Sequence, residues 1–262
     1  MPFSRKKPEI QGGLSGTALK YIAMTTMLAD HIGAVLLERI VYYRGNLEQV
    51  AMLMTSQWGD TLYWLWRMLR TVGRIAFPIY CLLLVEGFLH TRDWRRYWLR
   101  MAAFALISEI PFRLAVWNTW AGGSSNVYVE LAIGLLVLRG LKQSEGLTQP
   151  RRAAGMAAVI GGGCLAAVFL KADYDMDGIL IISLFYLLRE KRIVQVMSGG
   201  ILSLLESWNM CYGAGILSAV PLYFYNGKKG QAPWKYAFYW FYPLHLMVLF
   251  FIRLYVVGIP LG

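Results

Sequence analysis

The sequence predicts an all-α, polytopic membrane protein in which residues 1–262 form a single transmembrane helical bundle. Three observations predict it. Hydrophobic residues make up 57% of the chain and charged ones only 16%, against about 25% charged in an ordinary soluble domain. The apolar residues come in runs, such as the 18 uncharged positions from Ala153 to Leu170. No stretch alternates with period two, and only helices or closed barrels satisfy the backbone in lipid. These features exclude a disordered chain, a disulfide scaffold and an ordinary soluble enzyme.

Nine spans are expected: Thr17–Leu37, Arg70–His90, Tyr97–Trp117, Asn126–Leu138, Ala153–Leu170, Met176–Leu188, Ile193–Glu206, Cys211–Tyr225 and Trp234–Val257. About 20 residues cross the hydrocarbon of a bilayer. Four segments of 13 to 15 residues fall short, so they need their flanks, a neighbouring cavity or a re-entrant path. Arg5, Lys6 and Lys7 precede the first span as in a signal peptide. Asp30 and His31 interrupt its apolar run, however, and no small-x-small cleavage site follows, which predicts an uncleaved span.

The net charge of +11, from 26 Lys and Arg against 15 Asp and Glu, would mark a nucleic-acid surface in a soluble protein. Here it falls in short clusters between apolar runs, as in cytoplasmic loops, so no nucleic-acid partner is expected. Arg92, Arg95 and Arg96, then Arg139, Lys142, Arg151 and Arg152, then Arg189, Lys191 and Arg192, and last Lys228, Lys229 and Lys235 would lie inside with Arg5–Lys7. The alternate segments 118–125 and 207–210 hold no base, and 171–175 holds only Lys171. This predicts an N-terminus inside and a C-terminus outside. Segment 38–69, with Arg39, Arg44 and Arg67, is the poor fit. Its Trp58, Tyr63, Trp64 and Trp66 beside Arg67 and Arg70 suit an interfacial helix, either as an anchoring belt or as a docking surface.

Ionisable groups within spans cost roughly 2.5–3.5 kcal/mol each on insertion scales. The expected topology brings Asp30 and His31, Arg74, Glu109 and Arg113, Asn126, and Asp173 with Tyr174 to one outer-half layer. Adjacent helical residues point about 100° apart, so Asp30 cannot orient His31; it pairs better with Arg74. His31 is then left to face a cavity or to be satisfied structurally. His90 shares a face with Glu86. His245 follows Pro243, which should kink its helix and free a carbonyl. Three dispersed histidines, with Cys81, Cys164 and Cys211 in apolar surroundings, predict no metal site.

In order along the chain come Leu19–Ala23, Met27–Gly33, Gly73–Pro78, Glu86–Phe88 with His90–Arg92, Leu106–Phe112, Asn126–Val127, Ala172–Tyr174, Tyr225–Lys228 and Tyr242–His245. As a set these motifs resemble the TraX family of membrane proteins, named for a conjugal-transfer protein associated with N-terminal acetylation of pilin. Glu130 departs from the small or apolar residue expected at its position. The resemblance implies a multi-pass protein of the bacterial cytoplasmic membrane. It also implies acetyl transfer from cytoplasmic acetyl-CoA to an extracytoplasmic acceptor, a protein N-terminus or a glycan. On that reading His31 acts as general base or acetyl carrier, supported by Asp30, Arg74 and Glu109, with Arg74 or Asn126 at the developing oxyanion. Arg113, Asn126, Asp173 and Tyr174 would face the acceptor. His90, Arg92, Lys228, Tyr242 and His245 would hold the donor, whose phosphates suit basic side chains. The alternative is a transporter or channel using the same charges as a proton or ion pathway. The orientation is checked by single-cysteine labelling: Ser124→Cys and Ser207→Cys should react from outside, and Gln143→Cys and Gly230→Cys from inside. Labelling of position 124 from the cytoplasm would overturn the layer.

Overall fold

The computed structural model describes residues 12–42, 55–56, 58–231 and 236–258; Arg5–Lys7, Arg44, Trp234 and Lys235 lie outside them. Every named element among the described residues is helical, with one isolated parallel bridge between Leu14 and Tyr225. Helix α1 (Gly16–Ile32) starts at Ser15, whose hydroxyl accepts from the Ala18 N–H, an N-cap that satisfies one orphan donor. It widens into a π-helical turn (Gly33–Leu37) and runs on as α2 (Glu38–Tyr42). Amphipathic α3 (Gly59–Gly73) passes through a turn at Arg74 and Ile75 directly into α4 (Ala76–His90). Then come α5 (Trp94–Phe112), closed by a second π turn (Arg113–Trp117), α6 (Val127–Ser144), α7 (Arg151–Phe169), α8 (Asp175–Leu187) and α9 (Arg192–Glu206). The chain finishes with α10 (Trp208–Cys211), a 3₁₀ turn (Ala214–Ser218), α11 (Ala219–Tyr223) and α12 (Ala237–Phe251) with its own π turn (Ile252–Val257).

The segments expected to span therefore lie on helices, with two differences. The second begins earlier than Arg70, because α3 and α4 form one bent helical run from Gly59 to His90. The eighth is not one helix: Tyr212 and Gly213 adopt φ of 51° and 74°, left-handed values that end a right-handed helix. Among the described residues, three helices can cross a membrane by length and composition: Gly59–His90, Arg151–Phe169 and Ala237–Tyr255. The others are shorter or carry more charge. Helix α7 presents Leu165, Val168 and Phe169 outward, an apolar face suited to lipid rather than water.

Helix α4 is the axis of the bundle. Its Ile79, Cys81 and Val85 are fully buried, and it packs against α1, α6 and α8, which contribute Leu19 and Ala23, Leu135, and Ile179 with Ile182. Hydrogen bonds sort the connections into two ends. At one, the Gly16 N–H donates to the Lys228 carbonyl (2.7 Å), the Thr17 N–H to that of Lys229 (2.9 Å), and Arg189 meets Glu145 at 2.7 Å. At the other, the Ser125 N–H donates to the Lys171 carbonyl (2.7 Å) and Arg67 to that of Met210 (2.8 Å).

The three π turns gather at this second end, where a widened helix leaves carbonyls without their usual partners. Arg253, fully buried on α12's π turn, supplies donors to them. Its guanidinium reaches the Ala115 and Leu114 carbonyls at 2.7 and 2.8 Å and the Asn118 Oδ1 at 2.6 Å. Arg39 donates to the neighbouring Val116 carbonyl. Arg253→Met should strand those buried acceptors, at a cost of about 1–3 kcal/mol for each. Thermal unfolding in detergent should show a clearly lowered midpoint; an unchanged midpoint would contradict this role.

Candidate active site

A cavity of about 840 Å³ opens where α1 ends, between α1, α3, α4, α12 and the 171–175 loop. Asp30 lies in its wall between two arginines. Its carboxylate accepts from Arg74 at 3.0 and 3.1 Å and from Arg70 at 2.8 Å. The pairing with Arg74 is the expected one; the second arginine is additional. Glu206 stands 3.6 Å from Arg74, and Glu38 3.6 Å from Arg70. This closeness requires Gly73, since a Cβ there would fall 2.2 Å from the Asp30 Cβ. With no side chain at Gly73, α1 and α3 approach until the arginines reach Asp30.

His31 takes the other direction, as the helical angle requires. Its Nδ1 lies 2.6 Å from His245 Nε2, with the ring centroids 4.8 Å apart and the ring planes 25° from parallel. The His245 Nδ1 donates to the Phe241 carbonyl at 2.6 Å. Pro243, within the same helix, has no N–H to give to the Tyr239 carbonyl, and the Tyr128 hydroxyl takes that place at 3.1 Å. The freed carbonyl expected from the proline is thus occupied, and α12 continues through it.

Across the cavity lie Asp173 and Tyr174. The Tyr174 ring stacks flat on Phe77 at 3.4 Å between centroids, and Ser124 donates to Asp173 at 3.4 Å. Burial pushes the Asp173 carboxyl up to about 6, with Arg74 pulling the other way. A second cavity of about 460 Å³ enters from the opposite end. Lys20, Arg100 and Lys229 ring it, and Leu83, Leu84 and Leu131 form apolar wall. Tyr80 lines both cavities.

Of the predicted site residues, the first cavity brings together Asp30, His31, Arg74, Asp173, Tyr174 and Tyr242, with His245 behind His31. Three do not join them. Glu109 binds Arg113 at 2.8 Å and the Asn126 side-chain amide at 2.6 Å. Arg113 also donates to the Gly122 carbonyl. Asn126 is fully buried; its amide donates to Ala105 and Glu109, and its Oδ1 caps α6 through the Tyr128 N–H. With both amide hydrogens engaged it has none for an oxyanion, so that expectation is corrected: the trio ties α5 to the start of α6. The expected donor set also divides. His90 lines the second cavity, whereas Arg92 is exposed outside its wall and Lys228 gives its carbonyl to the start of α1. Tyr242 and His245 belong to the other end.

Several wall residues were not predicted: Arg70, Glu206, Tyr80, Lys20, Arg100 and Lys229. Arg70 had a signal in its four-residue spacing from Arg74, which puts both on one helical face. Glu130 is fully buried beside Gly178, with its carboxylate near the Tyr174 N–H but outside both cavity walls. Asp30→Asn would leave two buried guanidiniums facing each other. Removing one partner of a buried ion pair costs about 3–5 kcal/mol. The variant should lose most of its folded yield, while Asp30→Leu combined with Arg70→Met, Arg74→Met and Glu206→Gln, which leaves no largely buried charge unpaired, should recover thermal stability without function. Unchanged stability of Asp30→Asn would refute the cluster's role.

The family model described as TraX protein matches residues 15–253 of this chain, nearly all that the bundle and both cavities use. A protein of Dichelobacter nodosus, described as probable fimbrial assembly protein FimC, serogroup H1, is 29% identical over 236 residues, covering 78% of this chain and 88% of its own. No solved structure matches the chain significantly. With the family model matched over residues 15–253, most of its length, this chain belongs to the TraX family.

Proposed function

We propose that this protein is a membrane acetyltransferase that passes an acetyl group from cytoplasmic acetyl-CoA to an extracytoplasmic amine or hydroxyl, such as the N-terminus of a pilin. One observation carries the reading: two cavities enter from opposite ends of the bundle and share the Tyr80 wall. A transfer enzyme whose substrates lie on opposite sides of a membrane needs two entries and one meeting point. The expected orientation puts the second cavity at the basic, cytoplasmic end. There Lys20, Arg100 and Lys229 suit the phosphates of CoA, and the leucine wall suits its pantetheine arm. The family membership and the fimbrial relative support a pilin-related acceptor.

The chemistry follows from the wall residues. The acceptor lone pair attacks the thioester carbonyl while His31 Nε2 takes the acceptor's proton. Arg74, which keeps its place in the first cavity, offers positive charge to the tetrahedral oxyanion. As the carbonyl re-forms, the carbon–sulfur bond breaks and the CoA thiolate leaves with the proton from His31. Acceptor and donor then depart by their own entries. The route needs the second cavity to face the cytoplasm and the first to face outward, as an N-terminus inside would place them.

The test is acetyl-CoA consumption by purified protein in detergent, with a pilin-like N-terminal peptide as acceptor. His31→Ala should lower turnover by about 10²–10⁴-fold and leave donor affinity near that of the wild type. Lys229→Glu should instead raise the donor KM with a smaller change in kcat. Turnover of His31→Ala equal to wild type would refute the base, and no consumption by the wild-type protein with any amine or hydroxyl acceptor would refute the reaction.

A further inference from the structure

We infer that His245 is a positioning residue that fixes the tautomer of His31, so that His31 presents an unprotonated Nε2 to the first cavity. This deepens the acetyl-transfer reading and names which atom of which ring does the work. A carbonyl only accepts, so the 2.6 Å contact between His245 Nδ1 and the Phe241 carbonyl puts a hydrogen on Nδ1. In a neutral imidazole the other nitrogen then carries a lone pair. That nitrogen, His245 Nε2, faces His31 Nδ1 at 2.6 Å. The hydrogen between the rings therefore belongs to His31 Nδ1, and His31 Nε2 is left with its lone pair. His31 lines the cavity, and among the described residues no hydrogen bond engages its Nε2.

The surroundings hold this arrangement. Phe241 stacks on His245 (centroids 4.6 Å, 20°), and the edge of Tyr242 packs against both rings at 5.8 and 5.9 Å. Asp30, the adjacent carboxylate, is turned to Arg70 and Arg74. It therefore does not take the role that a carboxylate has behind a catalytic histidine in a Ser-His-Asp triad, where it holds the imidazole tautomer. A carbonyl-bound histidine takes that role here. The proton ledger of the transfer is complete: one proton leaves the acceptor for His31 Nε2, then passes to the departing thiolate, and the Nδ1 hydrogen stays shared with His245.

The test is ¹⁵N NMR of the histidine side chains in full-length protein in nanodiscs, with the signals assigned by His31→Ala and His90→Ala spectra. Wild-type His31 should show a protonated Nδ1 and a bare Nε2, the minority form of a free imidazole in water. In His245→Phe the His31 signal should shift toward the Nε2-protonated form, and kcat should fall by about 10²–10⁴-fold, the scale set by loss of a base or of its tautomer, with donor KM unchanged. His245→Gln, whose amide oxygen can accept from His31 Nδ1, should recover part of kcat and the wild-type tautomer. A wild-type His31 protonated at Nε2, or a tautomer indifferent to His245→Phe, would overturn the inference. The wild-type spectrum decides this even where a variant fails to fold. The predicted tautomer in a protein that transfers no acetyl group would instead refute the reaction and leave the positioning intact.

Discussion

The contact of Asp30 with Arg70 and Arg74 is the constraint on which the first cavity depends. Buried charge in an apolar bundle is tolerated only when paired and hydrogen-bonded, and this carboxylate is held by two guanidiniums at about 3 Å. The pairing needs α1 and α3 close together, which Gly73 permits. It also sets the rotation of α1. With Asp30 turned to α3, the next side chain must point away, and His31 arrives against α12. One ion cluster thus positions the histidine without touching it.

Helix α4 then connects the two halves of the site. Its first turns meet the charged cavity, its last turns meet the basic one, and Tyr80 stands between. Because α4 is also the most enclosed helix, its side chains have little freedom. A rigid divider of this kind keeps the two cavities apart except at the Tyr80 wall.

Polar residues inside the bundle divide into two kinds. Arg253, Glu109, Arg113 and Asn126 are engaged with backbone carbonyls, helix starts or each other. They solve the problem of helix ends and widened turns in an apolar setting. Asp30, His31, Arg74, Asp173 and Tyr174 keep a face toward open space. The same insertion cost applies to both kinds, so charge in an apolar run marks importance without saying whether it is structural or chemical.

By itself the sequence determined the helical class, the positions of most helices, the family, and a polar layer of which Asp30, His31, Arg74, Asp173 and Tyr174 meet in the first cavity while Glu109, Arg113 and Asn126 do not. The class and the helix positions depend on composition and local periodicity, which a chain displays residue by residue, whereas the family rests on the order of its motifs and the layer on the charge pattern of the loops. The angle between Asp30 and His31 even excluded one pairing in advance. Only the tertiary structure decided that His31 meets His245 across 214 positions, that Arg70 shares Asp30, and that Asn126 caps a helix instead of facing substrate. It alone divided the expected donor residues between two ends and put Tyr80 between two cavities. These facts depend on helix rotation and on the approach that single glycines allow, and no local pattern records which of several buried polar groups will be the one within 3 Å.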